Sequence, residues 1–128
     1  MSDQLLIEEA MAARSACYCP YSSFPVSAAL LADSGKIYTG VNVENASYGL
    51  TICAERVAVG SAIAAGEREF KKLIVVVRGG GSPCGACRQV LNEFSPELSI
   101  IVVDELGKVR SHTNLSKLLP QAFGPQSL

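Results

Sequence analysis

Two unbroken apolar runs, KLIVVV at 72–77 and LSIIVVD at 98–104, constrain this chain more than anything else in it. A strand that meets water on one face alternates polar and apolar residues. A run without alternation suits a strand covered on both faces. Between the runs, Ser82 reads as an N-cap and Pro83 as the first helical position, which predicts a helix to about Phe94. Covered strands and an intervening helix require a sheet with helices packed against it.

The rest of the chain extends this pattern. Residues 4–16 place Leu5, Leu6, Ala10, Met11 and Ala13 at helical spacing, and Cys19-Pro20-Tyr21-Ser22-Ser23 ends the helix. VSAALLA (26–32) and KIYTGVNVE (36–44) read as strands joined by the turn Asp33-Ser34-Gly35. Residues 52–65 read as a helix despite Gly60, with Gly66 as its C-cap. Leu106-Gly107-Lys108 turns the chain into a last strand, VRSH (109–112), and Asn114 caps a short final helix, LSKLLP. The expected fold is α/β: a three-layer α/β/α sandwich around a mixed central sheet of about five strands, with residues 1–128 forming one domain.

Composition excludes several function classes. At 48% hydrophobic and 18% charged, the chain can build a packed core and is not disordered. A net charge of −1 with no Lys/Arg cluster argues against a stable nucleic-acid partner. The apolar runs are too short to cross a bilayer, so no membrane role is expected. MSDQLLIEEA carries acid and lacks a basic n-region, so no secretory signal is expected. Five cysteines, odd in number and unevenly spaced, suit a reducing compartment, and the expected location is the cytoplasm.

The chemistry gathers in SPCGACRQVL (82–91) and TICAERV (51–57). Cys84 and Cys87, three apart near a helix start, share a face. A helix N-terminus carries partial positive charge and unpaired N–H groups, which favour thiolate. Cys53 opens the other central helix, and helices that follow strands of one sheet bring their N-termini to one edge. A catalytic zinc takes three protein ligands and leaves a fourth position for water, so Cys53, Cys84 and Cys87 suffice without the single histidine. Glu55, two residues beyond Cys53, is placed to shuttle protons. Three thiolates around one divalent ion leave the centre with a net negative charge. Arg56 is positioned to donate to sulfur and drain that charge, and Gln89 to assist it.

NVENASYGLTICAERVAVGSAI (42–63) followed by SPCGACRQVL closely resembles the cytidine deaminase family, of the small, three-cysteine, homotetrameric kind. The C-x-E … P-C-x-x-C arrangement is a general signature of zinc deaminases. The resemblance runs from PYSSFPV to LLPQAF. It implies one Zn²⁺ per subunit on Cys53, Cys84 and Cys87, with Glu55 as general acid/base. It implies that Asn42 and Glu44 bond ribose hydroxyls and that Phe24 packs on the pyrimidine. The Ala54 backbone and the Ser82–Pro83 segment would contact the base edge. Ala46, Tyr48 and Phe123 would complete a neighbouring subunit's site. The implied reaction is hydrolytic deamination of cytidine and 2′-deoxycytidine in pyrimidine salvage. Two positions depart from the family: Ser27 where Gly is expected, with a hydroxymethyl that would crowd the sheet behind the base pocket, and a short Arg78–Gly81 loop.

Other readings remain at this point. A structural zinc knot would close the fourth position with Cys or His. A redox dithiol at Cys84/Cys87 is disfavoured by Cys53 and by the absence of a thioredoxin-like arrangement. A deaminase of a modified cytosine nucleoside such as blasticidin S shares the chemistry, although NVENASYG favours plain nucleosides. Gly79–Gly81 lacks the Gly-Lys-Ser/Thr of a phosphate loop. Cys17, Cys19 and His112 read as ordinary thiols and a polar strand-end residue.

Overall fold

The computed structural model describes residues 2–128. Strands β1 (Val26–Ala32), β2 (Ile37–Val41), β3 (Phe70–Val77), β4 (Ser99–Val103) and β5 (Val109–Asn114) form one sheet in the order β2-β1-β3-β4-β5. β3 and β4 are parallel; the other neighbouring pairs are antiparallel, so the sheet is mixed as expected. Helix α1 (Asp3–Ala13) packs on one face. On the other lie α2 (Ala54–Ala64), α3 (Gly85–Phe94) and α4 (Leu115–Leu118).

The unbroken apolar runs explain the layering. Alternate residues of a strand point to opposite faces. Ile74, Val76, Ile101 and Val103 meet Leu6, Ile7 and Ala10 of α1. Leu73, Val75, Ile100 and Val102 meet Ala54, Ala58, Ala62, Leu91 and Leu115 on the other side. In α1, Leu6, Ile7 and Ala10 are the buried positions, whereas Leu5 faces out. The edge strand β5 is largely exposed. No helix among the described residues is long and apolar enough to cross a membrane.

Element ends follow local chemistry. Ser2 Oγ accepts from Leu5 N–H and caps α1. At the far end of α2, Gly66 has φ +98°, Gly66 N–H donates to Ile63 O, and Glu67 N–H donates to Ala62 O. That paired closure is why the predicted C-cap is a glycine. β2 stops at Val41, sooner than the predicted residue 44, because Val43 leaves to bridge Ile52 and Tyr18.

The start of α3 corrects the sequence reading. Ser82 is not its N-cap, nor is Pro83 its first residue. Cys84, extended at φ −66° and ψ 167°, is the N-cap, and Gly85 begins the helix. Ser82 Oγ is taken by the Arg88 guanidinium instead, at 2.7 Å. Ser27 is also corrected. Its hydroxyl is buried against α1, donating to Ala10 O at 2.7 Å, on the face of the sheet away from α2 and α3. It does not crowd the pocket described next.

Candidate active site

β2, β3 and β4 run the same way, so their C-terminal ends share one edge of the sheet. The helices that follow β2 and β3 begin there. Cys53 is the N-cap of α2 and Cys84 the N-cap of α3. Cys87 lies one turn into α3 and is fully buried. Their sulfurs all lie within 4.8 Å of one another. Cys53 Sγ is 3.9 Å from Cys84 Sγ, and Cys84 Sγ is 3.5 Å from Cys87 Sγ. A tetrahedral ion with bonds of about 2.3 Å sets its sulfurs about 3.8 Å apart, so the triad fits zinc without rearrangement.

The electrostatics separate Cys53 from Cys87. The Cys53 thiol is pulled down to about 5, first by a hydrogen bond from Cys87, then by bonds from Arg56 and Cys84. Cys87 is correspondingly pushed up by its bond to Cys53 and by burial. Arg56 Nη2 stands 3.5 Å from Cys53 Sγ, which places the guanidinium as the sequence predicted. The helix-end N–H groups do not bond the sulfurs of Cys53 or Cys84, however; the side-chain donor does that work. Gln89 is a correction. It lies on another side of α3, and its Nε2 donates to Phe123 O at 2.8 Å, away from the thiolates.

Glu55, in the first turn of α2, is buried. Desolvation raises its pKa, and the Cys53 charge raises it further. It lines a cavity of about 440 Å³ together with Phe24, Asn42, Glu44, Cys53, Ala54 and Ser82. Pro83, next to Ser82, is buried and does not line the cavity. Phe24 before β1, Asn42 and Glu44 after β2, Ala54 at the start of α2 and Ser82 in the loop before α3 thus converge on one cavity.

Several second partners were not legible in sequence. Glu44 accepts from Tyr21 N–H at 2.9 Å, Ser22 N–H at 3.2 Å and the Ser22 hydroxyl. Those donors, the hydroxyl first, hold its carboxyl below its usual range. Asn42 ties the pocket rim together, donating to Phe24 O at 2.9 Å and accepting from Val26 N–H at 3.2 Å. The Arg78 guanidinium sits 5.0 Å from the Phe24 ring centroid and donates to Ser23 O. Arg88 binds Pro83 O, Ser82 Oγ and Leu118 O, fastening the 82–83 segment to α4. Thr51, Ile52, Val26 and Val77 also line the cavity. Ala46, Tyr48 and Phe123 are exposed and lie outside it, Tyr48 at 74% and Phe123 at 61%.

Comparison with known proteins agrees with this geometry. A family model described as the cytidine and deoxycytidylate deaminase zinc-binding region matches residues 1–103. The chain belongs to this family. The cytidine deaminase of Sporosarcina psychrophila is 47% identical over 130 residues, spanning 100% of this chain and 96% of that protein. That of Halalkalibacterium halodurans is 43% identical, spanning 100% and 98%. The crystal structure of cytidine deaminase from Burkholderia pseudomallei superposes with a TM-score of 0.91 at 50% identity, covering 96% of this chain and 100% of that one. A zinc-binding deaminase family and a three-cysteine cluster of zinc dimensions together assign one Zn²⁺ per subunit.

Proposed function

We propose that this chain is a cytidine deaminase, hydrolysing cytidine and 2′-deoxycytidine to uridine and 2′-deoxyuridine with release of ammonia. One observation carries the reading: Cys53, one of three clustered thiols, and a buried carboxyl line a cavity that also presents an aromatic ring, an amide and an acid. The names borne by the similar proteins support it. They also favour plain cytosine nucleosides over a modified substrate such as blasticidin S.

Cys53, Cys84 and Cys87 would hold the zinc. When bound, zinc acts as a Lewis acid that brings the pKa of coordinated water toward about 7. The protein's own groups do the rest. Glu55 takes a proton from the attacking water and passes it to N3 of the pyrimidine. A C4–O bond forms; Glu55 then takes the remaining proton from the new C4 hydroxyl and delivers it to the amino group, so that the C4–N bond breaks as C4=O forms and ammonia leaves. Burial suits Glu55 to this exchange, because desolvation raises its pKa and makes the carboxylate a better proton acceptor than an exposed one. Phe24 packs on the ring, while the Ala54 backbone and Ser82–Pro83 contact the base edge. Asn42 and Glu44 take ribose hydroxyls; the Glu44 charge also repels a 5′-phosphate, favouring nucleosides over nucleotides.

The large exposed rings of Tyr48 and Phe123 support an assembly in which these residues, with Ala46, complete a neighbour's site in a homotetramer. The one five-stranded sheet supports a single-domain organisation, the free cysteines support a cytoplasmic location, and the substrate class supports a role in pyrimidine salvage.

The test is a fall in cytosine ultraviolet absorbance when zinc-loaded protein meets cytidine. A strong chelator should abolish the fall, and a tetrahydrouridine-type hydrated analogue should inhibit it strongly. Zinc-loaded, folded protein that leaves cytidine unchanged refutes the reading.

A further inference from the structure

The loop between β3 and α3 builds one wall of the cavity through Gly81 and Ser82. Arg88 fastens its Ser82–Pro83 end, and Gly80 N–H donates to Val77 O at 2.9 Å. Gly79 and Gly80 follow one another in the left-handed region, at φ +74° and +75°, and have no side chains to anchor. At the glycines a further brace comes from the neighbouring β4–β5 hairpin. A Cβ built on Gly80 would lie 2.8 Å from Arg110 Cγ and 2.9 Å from Arg110 Cβ, so the arginine stem lies against the glycine.

Asp104 fixes that stem. It follows β4, is 4% exposed, and its Oδ1 accepts from Leu106 N–H at 2.9 Å and Lys108 N–H at 3.0 Å. Its Oδ2 meets Arg110 Nη1 at 3.2 Å. The Arg110 side chain is 47% exposed, so the ion pair by itself contributes little energy in water. Its consequence is geometric: one end of a long side chain is tethered, and the stem is held against the loop. Glu105 Oε1 adds an acceptor for Gly79 N–H at 3.4 Å. Neither Asp104 nor Arg110 lines the cavity.

We propose that Arg110, oriented by Asp104, is a positioning residue that sets the pocket wall at Gly81–Ser82 and thereby nucleoside affinity. The kinetic part rests on the deaminase reading above. Because the wall touches substrate before and during reaction, losing the brace should weaken binding in both states and appear in KM more than in kcat.

The experiment compares zinc-loaded wild type, Arg110→Ala, Arg110→Lys and Asp104→Asn. Arg110→Ala should raise KM for cytidine about 3–10-fold, with kcat within about twofold. Arg110→Lys, which keeps the stem and the charge, should return KM to within about twofold of wild type. Asp104→Asn, which keeps the stem but loosens its tether, should fall between. Amide hydrogen exchange at residues 79–81 should quicken in Arg110→Ala, a readout that needs no activity. Unchanged KM and exchange in Arg110→Ala overturn the proposal. So does a lysine variant as impaired as the alanine one, or a loss confined to kcat. Should Arg110→Ala not fold, Asp104→Asn with wild-type KM and exchange overturns it equally. An inactive wild type with quickened exchange in Arg110→Ala sinks the deaminase reading and leaves the brace standing.

Discussion

Gly40 offers the sharpest test of how the fold serves the site. It lies in β2 directly beneath the first turn of α2. A Cβ placed on it would come within 2.1 Å of Ala54 O, 2.6 Å of Ala58 N and 3.0 Å of Ala58 Cβ. Its φ is not left-handed, so alanine adds a steric conflict without backbone strain. Restoring an ordinary contact of about 3.4 Å requires β2 and α2 to part by about 1.3 Å at Ala54 O. The two nearest obstacles are backbone atoms and the third is an alanine Cβ, so no rotamer change relieves the clash. Ala54 stands between Cys53 and Glu55, and the displacement passes to the proposed metal ligand and the proposed proton carrier together. Metal ligands tolerate about 0.2 Å of error. A misplacement of about 1 Å at a reacting group costs roughly 100-fold in rate. Overpacking of this kind costs about 1–3 kcal/mol, or roughly 5–15 °C in melting temperature for a domain of this size. Gly40→Ala should therefore melt earlier, hold substoichiometric zinc by elemental analysis, and lose about 10–100-fold in kcat/KM. A variant with full zinc, wild-type melting and kcat/KM within about twofold would refute the claim that α2 is pressed onto β2 to place Cys53 and Glu55.

Four further outcomes are expected. Glu55→Ala should keep full zinc by elemental analysis yet lose at least about 10²–10⁴-fold in kcat; near-normal turnover would remove Glu55 from proton transfer. Arg56→Ala should move the acidic limb of the kcat/KM–pH profile upward, since the guanidinium offsets thiolate charge; an unmoved limb would strip Arg56 of that role. Glu44→Ala should raise KM for cytidine and narrow discrimination against the 5′-monophosphate in parallel assays; both unchanged would contradict the ribose assignment. Asp104 has its carboxyl held below the usual range, first by Lys108 N–H and also by Leu106 N–H and Arg110. A lowered acid stabilises the fold above its unfolded pKa of about 3.9, and that stabilisation fades as pH falls through the folded value. The melting gap between wild type and Asp104→Asn should accordingly be full at neutral pH and shrink below about pH 4; a constant gap would contradict this.

The legibility of this protein was uneven for physical reasons. The buried strands were readable because β3 and β4 carry apolar residues on both faces and nothing local competes with that pattern. Cys53 at the head of α2 was readable because a helix start is announced by its own neighbours. The start of α3 was misplaced by two residues: Ser82 and Pro83 carry good local signals, but Arg88 captures Ser82 Oγ and Pro83 O. Cys84 then takes the cap, which puts its sulfur at the helix mouth facing Cys53. Gln89 was misread because distance along the chain does not report direction around a helix axis; the turn at Phe123 decides its partner. Ser22 and Arg78 gave no signal, since each acts on atoms that folding alone brings near.

The amino-acid order by itself determined a sheet with helices on both sides, the trio of cysteines with an adjacent carboxyl and arginine, and the resemblance that goes with them. These follow from periodicity and spacing, which act over a few residues and survive any tertiary arrangement. Tertiary structure alone decided which sulfur meets which, which face of the sheet receives the Ser27 hydroxyl, and how close α2 rides on Gly40. It also decided that a hairpin some thirty residues away leans on the glycine loop. The reason is common to all of these: a hydrogen bond or contact between distant residues depends on where the whole chain closes, and no local pattern encodes that closure.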